Sequence, residues 1–179
     1  MRLYQRLPTK HLQRIQQDVL NILPDDLFAQ TTIIRLTEYD KHLLELPSIH
    51  QLLREFEFSQ YVLSIQLHVT GPQVTIPIHC DNGFIYSFNI PIANCSNTYV
   101  SWYSTSAIPE TVRVRDDPAG LTYERFKPTD CALLERVEID GPYVINTSIP
   151  HNVENLTDNT RLMLLCRLHK DIKLAYMEQ

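Results

Sequence analysis

Along the first sixty residues the apolar positions fall at helical spacing. Leu12, Ile15, Val19, Ile22 and Leu23 predict a helix over 9–23, with Thr9 as its cap and Pro24 as its stop. Ile33, Ile34 and Leu36 mark a short strand within Thr31–Thr37. Ser48 is a candidate cap for a second helix that carries Ile49, Leu52, Leu53 and Phe56 on one face. From Tyr61 the period drops to two. In Tyr61–Val69, Leu63, Ile65, Leu67 and Val69 alternate with Ser64, Gln66 and His68, the pattern of a half-buried strand. Further strand-like runs follow at Val74–Ile78, Ile85–Ile92, Thr98–Ser104, Thr111–Arg115, Leu121–Phe126, Leu133–Ile139, Tyr143–Thr147 and Arg161–Leu168. Leu133–Ile139 reads equally as helix, because Ala132-Leu-Leu-Glu-Arg suits one. Gly71-Pro72, Asp81-Asn82-Gly83, Asp116-Asp117-Pro118, Asp140-Gly141-Pro142 and the polar stretch Asn155–Asn159 supply the turns. So many short strands predict a mainly β sandwich or jelly roll, with the N-terminal helices packed outside one sheet. The 179 residues read as a single domain, 1–179, with a mixed α/β elaboration over 1–60 and a β core over 61–168.

Composition narrows the classes of function. Hydrophobic residues at 44% and charged residues at 21% exclude wholesale disorder. A net charge of −5 argues against phosphate-dominated nucleic-acid binding and against a polybasic membrane surface, since both need excess positive charge. No apolar run approaches the roughly 20 residues that span a bilayer. Met1-Arg-Leu-Tyr-Gln-Arg-Leu-Pro has no apolar stretch behind its basic residues, so no secretory signal is read and a cytoplasmic protein is expected. Cys80, Cys95, Cys131 and Cys166 are widely spaced, which fits reduced, partly buried thiols rather than a zinc ribbon or a disulfide scaffold. Without a signal segment, the Asn-x-Ser/Thr tripeptides at Asn94, Asn146 and Asn155 carry no weight as glycosylation sites.

The sharpest chemistry lies in His79-Cys80-Asp81, followed far downstream by His151. Residues two apart on a strand share a face, so His79 and Asp81 project together. A second imidazole from another strand completes a two-His, one-carboxylate set that leaves coordination positions open, the pattern of non-haem Fe(II) oxygenases. A second His-x-Asp, His169-Lys-Asp171, has no histidine after it to complete such a set. Arg161 opens an otherwise apolar strand after a polar, turn-rich stretch that is expected to reverse the chain beside the strand ending near His151. Such an arginine needs an anion or solvent, and its planar fork suits a carboxylate. Asn89 and Ser87 share one strand face; Tyr99, Ser101 and Tyr103 share a face of the next, opposite Trp102. An inward Asn89 or Tyr99 is a candidate for co-substrate contact, and His68 is a further candidate for the barrel interior. His11, His42, His50 and His169 read as surface residues.

Val74-Thr-Ile-Pro-Ile-His79-Cys-Asp81, Asn89-Ile-Pro-Ile, Val144-Ile-Asn-Thr-Ser-Ile-Pro-His151-Asn-Val-Glu-Asn and Arg161 with its strand together resemble the 2-oxoglutarate/Fe(II)-dependent dioxygenase superfamily. The stretch around His151 resembles its aspartyl/asparaginyl hydroxylase-like members. The resemblance spans roughly residues 61–168 and implies a double-stranded β-helix, related to the cupin barrel. It implies Fe(II) held by His79, Asp81 and His151, with Arg161 binding the distal carboxylate of 2-oxoglutarate as co-substrate. It further implies hydroxylation of a C–H bond in a small molecule, an amino-acid derivative or a peptide or protein side chain. The carboxylate of Asp81 leaves no vacancy for a halide, which favours hydroxylation over halogenation. Many members place Ser or Thr two residues after the arginine to share that carboxylate; Met163 stands there in this chain, so another hydroxyl or amide donor is needed. Two alternatives stay open: a cupin-like metalloenzyme that does not use 2-oxoglutarate, and a non-catalytic jelly-roll binding domain. Cupins typically show His-x-His where this chain has His79-x-Asp81.

Overall fold

A computed structural model describes residues 2–29, 31–36, 39–81, 84–113 and 122–169, together with Ile172 and Met177. The Asn82-Gly83 part of one expected turn and the Asp116-Asp117-Pro118 turn lie outside the described residues. In chain order the strands are β1 (Tyr4–Arg6), β2 (Ile33–Leu36), β3 (Val62–Thr70), β4 (Thr75–Asp81), β5 (Tyr86–Ala93), β6 (Thr98–Ser104), β7 (Glu110–Arg113), β8 (Thr122–Arg125), β9 (Ala132–Glu138), β10 (Tyr143–Asn146), β11 (His151–Asn155) and β12 (Arg161–Leu168). The helices are α1 (Leu12–Leu20), α2 (Asp40–Glu45) and α3 (Pro47–Glu55).

The strands form two antiparallel sheets, ordered β1-β10-β5-β12-β3-β2 and β7-β8-β4-β11-β6-β9. From β3 to β6 the chain alternates between the sheets strand by strand, and from β9 to β12 it does so again. Two such interleaved halves make a double-stranded β-helix, the jelly-roll architecture. The β7–β8 hairpin widens the second sheet beyond β4, while β1 and β2 extend the two edges of the first. The first sixty residues thus contribute strands as well as helices.

Alternation sorts the side chains of the first sheet. Ile65, Leu67 and Val69 of β3 and Leu162, Leu164, Cys166 and Leu168 of β12 face outward and pack with Ile15, Val19, Ile49, Leu52 and Leu53 of the helices. That layer includes the apolar stripes of α1 and α3, and burying them stabilises helices of nine residues that would be marginal alone. Gln16 Nε2 of α1 donates to the Pro91 carbonyl of β5 at 3.0 Å. The opposite face of β3 and β12 points into the barrel, where Met163 and Leu165 meet Val100 and Trp102 of β6. Gly71 follows β3 at a point where a Cβ would collide with the Thr31 carbonyl, so only glycine allows that approach of the chain.

Several expected boundaries shift. α1 begins at Leu12 with His11 as its N-cap, and Thr9 Oγ1 accepts from the His11 N–H at 3.1 Å. Ser48 does not cap α3: the N-cap is Leu46, Pro47 takes the first turn, and Ser48 is buried inside the helix. Ala132–Glu138 is strand, held as an edge against β6. His151 does not follow a strand; it begins one, β11, which runs through Asn155. β12 therefore lies beside β3 and β5 in the opposite sheet, not beside the strand near His151.

Candidate metal centre

His79 and His151 come together because β4 and β11 are neighbours in the second sheet and the two residues are register partners. Paired residues on adjacent strands share a face, and the two imidazole centroids stand 4.4 Å apart. Asp81, two residues on, shares the face of His79; its Oδ1 lies 3.8 Å from His79 Nε2. The Asp81 N–H donates to the Thr147 carbonyl at 3.0 Å, tying this end of β4 to the end of β10. Tyr123 of β8 sets its ring edge-on to His79, 5.9 Å between centroids.

Both imidazoles are oriented in the same way. His79 Nδ1 lies 2.8 Å from the Pro77 carbonyl and His151 Nδ1 lies 3.0 Å from the Ile149 carbonyl. A carbonyl only accepts, so each Nδ1 carries a proton, and in the neutral ring Nε2 is then the nitrogen with the free lone pair. Burial, with His79 alongside, pulls the pKa of His151 down to about 4, against the opposing pull of Asp81. The His151 imidazole is therefore neutral at pH 7. Two imidazole Nε2 atoms and a carboxylate are donor types that suit a divalent transition metal, with backbone carbonyls orienting the rings from behind. Among the described residues, no three His, Cys, Asp or Glu donors are already drawn in to ligating geometry. Donors at right angles on one metal sit about 3 Å apart, so His79 Nε2 and Asp81 Oδ1, at 3.8 Å, stand wider than a shared ligand shell.

These three side chains line a cavity of about 300 Å³. Its walls include Ile76, Val153 and Tyr123 beside the site, and Ser87, Asn89 and Arg167 across from it. Asn89 is placed as the sequence reading expects: Ser87 Oγ donates to its Oδ1 at 2.7 Å, so its Nδ2 is the group it can offer the cavity. His68 also lines the cavity.

Two expected site residues stand elsewhere. Tyr99 is a correction: Trp102 and Val100 take the inward parity of β6, so Tyr99 faces outward, under the Arg136 guanidinium at 4.1 Å. Arg161 is inward and buried at the far end of β12, but it is not part of the cavity wall. Its guanidinium bonds the Cys95 thiol, its Nε has no partner, and burial pushes its pKa down. Leaving such a donor unmet costs about 1–3 kcal/mol or more. Met163 follows it on the same face, fully buried. Arg167 and Phe84, whose ring lies 4.3 Å from the Arg167 guanidinium carbon, were not singled out in the sequence. The signal for Arg167 was its parity with Arg161, six residues earlier on the same strand.

No protein-family model matches the sequence, and no curated protein matches it. Solved structures do. EvdO2 from Micromonospora carbonacea var. aurantiaca overlaps 97% of this chain and 89% of its own, at 14% identity and a TM-score of 0.57. EvdMO1 overlaps 94% of this chain at 14% identity and a TM-score of 0.51; this chain spans 47% of its length. An oxidoreductase of the 2OG-Fe(II) oxygenase family from Burkholderia pseudomallei overlaps 94% of this chain at 13% identity, but its TM-score of 0.46 is too loose to carry weight. At such identities the likeness establishes the fold: the chain is a double-stranded β-helix.

Proposed function

We propose that the protein is an Fe(II)- and 2-oxoglutarate-dependent oxygenase that hydroxylates a C–H bond of a small molecule, an amino-acid derivative or a protein side chain. The observation that carries this reading is the pair of inward imidazoles with Nδ1 tied to backbone carbonyls, beside Asp81 in one cavity. By donor type, two imidazoles and a carboxylate on one cavity wall suit such a metal. His79, Asp81 and His151 would hold it, and iron with 2-oxoglutarate would supply oxidising power from O₂ that no side chain can. The chain's own part is to bind, orient and exclude water. The register pair sets the imidazoles, and the Asp81–Thr147 backbone bond holds the carboxylate at the cavity. Arg161 is the proposed anchor for the distal carboxylate of 2-oxoglutarate. Its buried guanidinium forms no salt bridge with an acid among the described residues, so an anion from outside would satisfy it.

One observation favours a metalloenzyme of the same fold that dispenses with 2-oxoglutarate: Arg161 stands outside the cavity wall. Turnover decides between the two. Purified protein with Fe(II) is expected to convert 2-oxoglutarate to succinate, and His79→Ala to abolish this. Arg161→Ala should raise the KM for 2-oxoglutarate about tenfold or more while leaving metal binding nearly intact, since a charge-assisted bidentate contact is lost. Metal uptake without succinate, even with candidate amino acids and peptides supplied, would favour the second reading.

A further inference from the structure

Resting on the oxygenase reading, we infer that the Thr70 hydroxyl is the second donor to the distal carboxylate of 2-oxoglutarate, shared with Arg161 in the role that Met163 lacks the chemistry to fill. Thr70 and Arg161 are direct register partners on β3 and β12. Side chains of such partners issue from the same face with Cβ atoms about 5 Å apart. Gln66, His68 and Thr70 alternate with the outward Ile65, Leu67 and Val69, so that face is the barrel interior.

Both side chains are buried, and both carry an unmet donor group: Thr70 Oγ1 and Arg161 Nε have no hydrogen-bond partner. Buried polar atoms are rarely left so in folded proteins, and two on directly opposed residues mark one place where an acceptor is missing. A carboxylate has two oxygens and needs two donors from one side; a guanidinium N–H and a hydroxyl O–H at this spacing provide them. The Cys95 thiol that bonds the guanidinium is no substitute, being a weak acceptor. The cavity also comes close. His68, two residues before Thr70 on the same face, and Ile33, the register partner of Thr70 on β2, both line it. Neither Thr70 nor Arg161 lines the cavity itself, so the distal carboxylate of a diacid held at His79 would have to pass His68 to reach the pair. Valine has the shape of threonine, so a site that only needed filling would not need the hydroxyl.

The test compares Thr70→Val and Thr70→Ser with the wild type, reading dissociation constants by calorimetry on Mn(II)-loaded protein. The probes are 2-oxoglutarate and 2-oxobutyrate, which lacks the distal carboxylate. Thr70→Val is expected to weaken 2-oxoglutarate about tenfold or more, with Thr70→Ser close to wild type. Binding of 2-oxobutyrate should be the same in all three, and succinate formation at saturating 2-oxoglutarate should change far less than KM. The inference is overturned if Thr70→Val binds 2-oxoglutarate as the wild type does. It is overturned equally if valine and serine weaken it alike, or if 2-oxobutyrate weakens in step. A wild type that neither binds nor turns over 2-oxoglutarate overturns the oxygenase reading, and this inference with it.

Discussion

His151 sits fully inside the barrel, and its pKa of about 4 makes it a proton-sensitive point in the metal-free protein. In the unfolded chain a histidine titrates near its ordinary 6.5. Between pH 6.5 and 4 the unfolded state therefore binds a proton that the folded state refuses, so stability falls as pH falls through that window. The loss at the bottom of the window is about 3 kcal/mol. Urea denaturation of metal-free protein at pH 7 and at pH 4.5 should show it, and His151→Gln should remove that part of the slope. An equal pH dependence in wild type and variant would contradict the assignment. At this scale the sequence was most readable where spacing alone decides direction. His79 and Asp81 share a face because they lie two positions apart, and His68 faces inward by the same alternation. Tyr99 was misplaced because alternation gives two faces without saying which is inside; Trp102, fully buried, took the interior. Thr70 gave no signal, because an unmet hydroxyl exists only once its neighbours are in place.

The amphipathic helices and alternating strands could be read from the chain; the polar ones could not. α1 and α3 announce themselves by apolar spacing, and Leu52 is fully buried between α3 and the first sheet. Leu52→Ala should destabilise the protein by about 2–5 kcal/mol, seen as a lower denaturation midpoint with an unchanged slope. A change under 1 kcal/mol would mean that the helices are not packed on this sheet as described. β11 escaped because His151-Asn-Val-Glu-Asn has almost no hydrophobic alternation. It is a strand because it lies between β4 and β6, which bond its backbone from both sides. Asn155 then closes the next turn, its Nδ2 donating to the Thr70, Gly71 and Asn159 carbonyls. β1, of three residues, and α2, of six, are too short for periodicity to register.

Over the whole molecule, residues far apart in the chain become neighbours because the two halves of the β-helix interleave. His79 on β4 and His151 on β11 are 72 positions apart by their numbers yet share one register pair. Strand count and turn spacing point to a jelly roll, but which strands adjoin is settled by long-range pairing that no local pattern encodes. Everything claimed for function depends on that pair and Asp81 acting as one site. Titration of metal-free protein with Mn(II), followed by the loss of free-ion electron paramagnetic resonance signal, tests this most directly. The account predicts one site per chain in the wild type, and its loss in His79→Ala, Asp81→Ala and His151→Ala taken singly. Undiminished stoichiometry and affinity in any of the three would contradict it.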